Sequence, residues 1–178
     1  MFEGTSISEG RGTARPFEVC FYLRTINTCW LIFSQIMGAP WITELWTMDM
    51  RSLHVPGTDY RFQCFIPSTS KFANQTACGL QVYVASDLSQ DIAMFDPVFV
   101  GVSLLWSAHR LYSNGSSTSA NRFSWKKVGD EYNIDLLTGG TLIRESIDRG
   151  LSPSQIRGLW EDELEAFRRR RALYLLYE

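Results

Sequence analysis

The chain has 178 residues, enough for one domain of ordinary size. Hydrophobic residues make up 45% of it and charged residues 20%, which excludes general disorder and a fibrous repeat. The 17 Lys and Arg residues nearly balance the 19 Asp and Glu residues. The chain therefore lacks the excess of positive charge that would indicate a nucleic-acid partner.

The first 37 residues predict a loop followed by two strands. Residues 1–15 are polar and rich in Gly, Ser and Thr. The apolar run at 20–37 is shorter than a transmembrane helix and contains several polar residues. It favours strands at 17–23 and 30–37, and we expect no membrane span.

The middle of the chain predicts one helix and two further strands. The predicted helix covers residues 40–53. It begins near Pro40, because proline is tolerated in a first helical turn. Residues 60–66 and 78–85 alternate apolar and polar side chains, as half-buried strands do. In the second strand Gln81 and Tyr83 share one face, which predicts either a groove or a solvated sheet surface.

The last 83 residues are predicted to be mainly helical. Asp96-Pro97 is typical of a helix start, here for a helix that reaches about residue 112. Shorter helices are predicted at 133–137 and 141–149. A longer amphipathic helix begins at Ser152-Pro153 and ends in arginines interpreted as a solvated helix end. Its predicted core-facing residues are Ile156, Leu159, Trp160, Leu164 and Phe167.

These elements predict a single α+β unit, a small mixed sheet packed with three or more helices. The four cysteines form no C-x-x-C pair, and with two histidines they offer no zinc spacing. Four cysteines in a chain of this length do not indicate a disulfide scaffold. Cys78 has no adjacent base and is interpreted as a buried structural thiol. We expect neither a metal nor a cofactor.

The densest polar cluster lies near the N-terminus. Gly10 and Gly12 flank Arg11, so the backbone there can adopt left-handed angles and approach a ligand closely. Arg11 and Arg15 present planar guanidinium groups that suit a carboxylate or phosphate. Glu9 could bind hydroxyl groups or act as an acid or base. Spacing alone favours a tight turn with internal salt bridges over a binding site.

Seven segments of the sequence resemble one known family, in the same order along nearly the whole chain. They are Phe2-Glu3-Gly4-Thr5, the cluster at 8–18, Gly38-Ala39-Pro40-Trp41-Ile42, Phe65-Ile66-Pro67, Ser70-Lys71-Phe72, Cys78-Gly79-Leu80-Gln81-Val82 and Tyr174-Leu175-Leu176-Tyr177. The sequence is similar to the C-terminal part of the YbbC-like family, which includes the NamZ-type exo-β-N-acetylmuramidases. The resemblance implies release of N-acetylmuramic acid from non-reducing ends of peptidoglycan fragments.

The resemblance also implies a location for the substrate. Family members carry a larger N-terminal Rossmann-like domain, and their site lies in the cleft between the two domains. The residues implied for the C-terminal wall of this cleft are Glu9, Arg11, Thr13, Arg15, Lys71 and Gln81. Arg11 or Arg15 is expected to bind the lactyl carboxylate of a muramyl sugar, and Glu9 to orient hydroxyl groups. Tyr83 or a tryptophan would stack on a sugar ring. Glu9 is a weak catalytic candidate, and the catalytic residues are otherwise unassigned.

Two departures from the family divide the chain into three parts. The Rossmann-like domain is missing, so we expect a fragment that is inactive alone, with 1–18 as a remnant of the cleft loop. Residues 19–37 are an apolar insertion, and within it 19–35 is hypothesised to be a translated, unspliced intron. Residues 38–178 form the C-terminal domain. A non-catalytic module for muramyl saccharides and a gene-model fragment that never folds are the alternatives.

Overall fold

The computed structural model of the protein describes residues 1–14, 19–25, 28–84, 95–113 and 122–176, with side chains outside 19–34. A 3₁₀ turn at Phe2–Gly4 precedes β1 (Val19–Thr25), β2 (Thr28–Ala39), α1 (Leu45–Ser52), β3 (Thr58–Phe65) and β4 (Ala77–Val84). The second half contains α2 (Pro97–Tyr112), the short hairpin β5 (Lys127–Val128) and β6 (Glu131–Tyr132), and the helices α3 (Asn133–Thr138), α4 (Leu142–Asp148), α5 (Pro153–Gly158) and α6 (Glu161–Ala172).

The four long strands form one sheet in the order β1-β2-β4-β3. All three pairings are antiparallel, whereas we expected a mixed sheet. The β1–β2 and β3–β4 connections are too short for the crossover that parallel neighbours need. The α+β class is confirmed, and so are two strands in the apolar run. Within the described part of the chain, no helix is both long enough and apolar enough to cross a membrane.

The hydrophobic core lies on one face of this sheet. Met37 and Leu80 pair across β2 and β4, Val82 pairs with Tyr60 across β4 and β3, and all four side chains are buried. Helix α1 packs on β3 and β4, and its Trp46 is fully buried. Helix α2 packs on α1, and α4 and α5 pack on α2. Alternate side chains of β4 point to opposite faces of the sheet, so Leu80 and Val82 share one apolar face. The helices cover this face.

Helix α2 begins where the sequence predicts. The Asp96 side chain accepts hydrogen bonds from the backbone N–H groups of Val98 (3.1 Å) and Phe99 (3.0 Å). Pro97 occupies the first helical turn, where its missing N–H leaves no bond unmade. The predicted start at Asp96-Pro97 is therefore confirmed.

The predicted amphipathic helix at the C-terminus is instead two helices, α5 and α6. Ser152 and Gln155 form a reciprocal capping box at the start of α5, and Ile156 is fully buried. Gly158 ends α5, and glycine has a low helix propensity. Helix α6, described along its whole length, has no buried residue, and Phe167 is 47% exposed. The expected core-facing stripe therefore holds at Ile156 and at Trp160, which is partly buried against the core, and fails at Leu159 and Phe167.

The interpretation of Cys78 as a free thiol is wrong. Cys64 on β3 and Cys78 on β4 stand directly opposite each other and form a disulfide. The bond joins the two strands at the end where a loop connects them. The sequence could reveal this pairing only through strand register, because the two cysteines are 14 residues apart.

Candidate functional site

The glycine turn, defined here as residues 10–13, has the left-handed backbone that the sequence predicts. Gly10 has φ of 82° and Gly12 has φ of 78°. Thr13 closes the turn, because both its N–H (3.2 Å) and its hydroxyl (2.7 Å) donate to the Gly10 carbonyl oxygen. A Cβ atom at Gly12 would lie 2.5 Å from the backbone N and O atoms of Thr69. Glycine is therefore required at Gly12 for its conformation and for the close approach of two chain segments.

An ion cluster of Glu3, Glu9, Arg11 and Lys71 holds this turn. Glu9 is 3% exposed, and its two carboxylate oxygens lie 3.0 Å from Arg11 Nε and 2.8 Å from Lys71 Nζ. Arg11 also forms an ion pair with Glu3 through Nη2. The buried carboxylate is therefore compensated by two cations, as burial of a charge requires.

Lys71 joins the turn to the loop after β3. Its ammonium group donates to Glu9 and to the backbone carbonyl oxygens of Phe2 (3.1 Å) and Ile7 (2.9 Å). Burial lowers the pKa of Lys71 from its ordinary value of 10.5, while the hydrogen bond and charge of Glu9 partly restore it. Its neighbours Ser70 (φ 70°) and Phe72 (φ 59°) both have left-handed backbone. The backbone of this loop therefore positions Lys71 to bind Glu9, which is 62 residues away in the sequence.

The second face of the sheet, opposite the core, carries polar side chains on β3 and β4. Ile36, Gln81 and Arg61 are consecutive partners across β2, β4 and β3, so their side chains share this face. The Tyr83 hydroxyl donates to Gln81 Oε1 at 2.7 Å. The predicted shared orientation of Gln81 and Tyr83 is therefore confirmed. We call the residues Arg61, Gln81 and Tyr83 the polar row.

The glycine turn lies at one end of the polar row. A Cβ atom at Gly10 would lie 3.0 Å from Ile36 Cγ2, so the turn packs directly on this face. The opposite end of the turn reaches the loop after β3, where the Ser68 N–H donates to the Gly12 carbonyl oxygen at 2.7 Å. The turn thus contacts both Ile36 of β2, the cross-strand partner of Gln81, and the loop that follows β3. Hydroxyl, amide and guanidinium groups there provide hydrogen-bond donors for a polar ligand.

The structure brings most of the predicted site residues together. The ion cluster and turn contain Glu9, Arg11, Thr13 and Lys71, and Gln81 and Tyr83 stand on the adjoining face. Arg15 lies outside the described residues. Sequence reasoning missed Glu3 and Arg61. The alternation in 60–66 places Arg61 opposite the core, but only strand register puts it beside Gln81.

A separate charged cluster lies on the helical side of the molecule. His109 Nε2 lies 3.2 Å from Asp148 Oδ1, which also accepts a 2.9 Å hydrogen bond from the Trp125 indole N–H. The imidazole stacks on Trp125 with ring centroids 5.9 Å apart. Burial lowers the pKa of His109 from its ordinary value of 6.5, and Asp148 opposes this shift. Among the described residues, no group of three or more His, Cys, Asp or Glu side chains is placed to hold a metal ion.

Comparison with known proteins decides the family. The sequence model described as "Exo-beta-N-acetylmuramidase NamZ, C-terminal" matches residues 33–177. The chain belongs to this family. It is 34% identical over 179 aligned residues to the peptidoglycan β-N-acetylmuramidase NamZ of Bacillus subtilis, and this alignment covers 99% of the chain. The resemblance inferred from the sequence is confirmed.

The fold has a solved counterpart. A DUF1343 family protein from Bacteroides fragilis superposes with a TM-score of 0.67, covers 97% of this chain and is 20% identical to it. The chain spans 35% of the length of the Bacillus relative and 38% of the Bacteroides chain. The NamZ C-terminal family match therefore concerns about a third of such longer proteins.

Proposed function

We propose that this chain forms the C-terminal side of a site for N-acetylmuramyl saccharides in an exo-β-N-acetylmuramidase. In this proposal the enzyme releases N-acetylmuramic acid from the non-reducing ends of peptidoglycan fragments. The observation that carries the proposal is the glycine turn, which an ion cluster fixes beside the polar row in a chain of the NamZ C-terminal family. A fixed turn can present backbone and side-chain donors to a sugar with little ordering on binding.

We assign the residue roles by how exposed each side chain is. The Arg11 side chain is 48% exposed and, with Arg15, is the sequence candidate for the lactyl carboxylate. The half-buried Tyr83 offers its ring and hydroxyl to the sugar, whereas Gln81 is 9% exposed and accepts the Tyr83 hydroxyl, so its role is to hold Tyr83 in place. The Glu9 side chain is 4% exposed and bonded through both oxygens, which favours positioning of the turn over direct contact with sugar.

We also propose that the chain alone does not hydrolyse the saccharide. The chain covers only 35% of the length of the Bacillus NamZ protein. Most glycosidases use an acid and a second carboxylate or water-positioning group across the scissile bond. In the described chain the buried Glu9 is already committed to Arg11 and Lys71. We propose that the reacting carboxylates belong to the part that longer relatives add.

Two assays on the 178-residue chain test the proposal. Isothermal titration calorimetry with N-acetylmuramic acid should detect binding, and an aryl β-N-acetylmuramide should release no aryl alcohol over the buffer rate. Absence of binding would contradict the saccharide site. Aryl release above the buffer rate would show that the chain carries its own catalytic groups. A non-catalytic saccharide-binding module would also bind N-acetylmuramic acid. The gene distinguishes this alternative, because such a module would have no in-frame Rossmann-like region upstream.

The three-part division of the chain remains our proposal, with an apolar addition at 19–37. Met37 pairs with Leu80 and is 1% exposed, so the last residue of this segment belongs to the core. The intron hypothesis for 19–35 predicts splice-like codons at both edges and transcripts that lack the segment. Transcripts that always include it would contradict the hypothesis. A cooperative thermal unfolding transition would exclude the non-folding alternative.

A further inference from the structure

Arg11 is poorly placed to accept a new carboxylate. Its Nε atom is paired with Glu9 at 3.0 Å and its Nη2 atom with Glu3. These two nitrogens form the side-on edge of the guanidinium, which is one of the geometries that binds a carboxylate through two parallel hydrogen bonds. A ligand carboxylate at this edge would have to displace Glu3 or the buried Glu9.

Arg61 lies on the same face and is exposed. It stands in the central part of β3, directly opposite Gln81, in the row that ends at the glycine turn. In the described part of the chain its guanidinium makes no ion pair. Its neighbour on this face, Asp59, accepts a hydrogen bond from the Tyr60 N–H and lies 3.9 Å from Arg51.

We infer that Arg61, rather than Arg11, receives the carboxylate of the saccharide and so selects carboxylate-bearing sugars over neutral ones. This inference rests on the proposed saccharide site and names a residue that neither the sequence motifs nor the family match singles out. Gln81, which is 9% exposed and accepts a hydrogen bond from the Tyr83 hydroxyl, stands beside Arg61. The half-buried Tyr83 on the same face can contact the sugar while the Arg61 guanidinium binds the acid. Because Arg61 makes no ion pair with any residue that the structure describes, its N–H donors can form a bidentate contact.

The test measures binding of three matched sugars to the full chain by isothermal titration calorimetry. The probes are N-acetylmuramic acid, its carboxamide and N-acetylglucosamine, which lacks the lactyl group. Arg61→Ala should weaken N-acetylmuramic acid about tenfold or more, because a charge-assisted bidentate contact is lost. It should change the affinity for the two neutral sugars by less than about twofold. Arg61→Lys, which keeps the charge without the planar group, should fall between.

Control variants make each outcome decisive. Arg149→Ala removes an exposed arginine just after α4 that pairs with Glu145, and it should leave all three affinities unchanged. Equal binding by wild type and Arg61→Ala would overturn the inference while leaving the saccharide site intact. So would equal weakening of all three sugars, or selective loss of the acid in Arg11→Ala alone. Failure of wild type to bind any of the sugars would instead refute the proposed function on which the inference rests.

Discussion

At the scale of single residues, the buried carboxylate of Glu9 is the feature on which the glycine turn depends. It is almost fully buried and has one cation on each oxygen. Lys71 supplies one of them and also bonds the carbonyl oxygens of Phe2 and Ile7. The pair therefore ties the N-terminal segment to the loop after β3.

Replacement of Lys71 by methionine tests how much the pair of Glu9 and Lys71 contributes to the free energy of unfolding. Because Glu9 would lose one of its two cations inside the protein, we expect the free energy of unfolding to fall by about 2–4 kcal/mol. Urea denaturation followed by tryptophan fluorescence measures the change. The matched controls are Glu9→Gln and the double variant that carries both changes. The double variant should lose at least about 1 kcal/mol less free energy of unfolding than the two single variants lose together. Strict additivity would show that the two groups do not stabilise each other.

Gly12 provides a second test, with Gly129 as its control. Both have left-handed backbone, but a Cβ atom at Gly12 would meet Thr69, whereas the space around Gly129 is open. Gly129→Ala should lower the free energy of unfolding by about 1 kcal/mol from backbone strain alone. Gly12→Ala adds the collision with Thr69 and should lose about 2 kcal/mol or more. Equal losses in urea denaturation would contradict the packing of the turn on this loop.

At the scale of secondary-structure elements, the disulfide closes the loop that carries Lys71. Replacing both Cys64 and Cys78 by serine removes a constraint across 14 residues. For a loop of this length the expected loss of stability is about 3 kcal/mol. Thermal unfolding of the variant should match that of the reduced wild-type protein and lie below that of the oxidised protein. Superimposed curves for the variant and the oxidised wild type would contradict the bond.

The cluster on α2 predicts a pH dependence. The pKa of His109 is lowered from 6.5 in the folded protein, so the unfolded chain takes up this proton first as the pH falls. The stability that His109 contributes is fully present above pH 6.5 and is lost as the pH falls through the lowered value. The stability advantage of wild type over His109→Gln should therefore shrink between about pH 7.5 and pH 5. An advantage that stays constant or grows across this range of urea measurements would contradict the burial of His109.

Local chemistry predicted some elements well and could not predict others. Asp96-Pro97 specifies the start of α2 because the cap and its acceptors are adjacent in sequence. The break between α5 and α6 was missed, since an apolar period continues through Gly158 although the helix does not. The disulfide and the contact of Glu9 with Lys71 were missed for another reason. Each joins segments whose alignment depends on the register of the sheet.

At the scale of the whole molecule, the helices cover one face of the sheet and the polar row lies on the other. Helix α1 covers the apolar face, and the glycine turn packs over Ile36 on the opposite face. The sequence predicted the α+β class and, through the family motifs, most of the residues that the structure groups around the glycine turn. It could not predict that Arg61 joins them, because that position follows from pairing of β3 with β4.

The most direct test of the saccharide site is a titration of the isotope-labelled chain with N-acetylmuramic acid, followed by nuclear magnetic resonance of the backbone amides. We expect the largest shift changes in the glycine turn and at Arg61, Gln81 and Tyr83, with little change in α4 and α5. Shift changes confined to the helices, or no saturable change at all, would contradict the account.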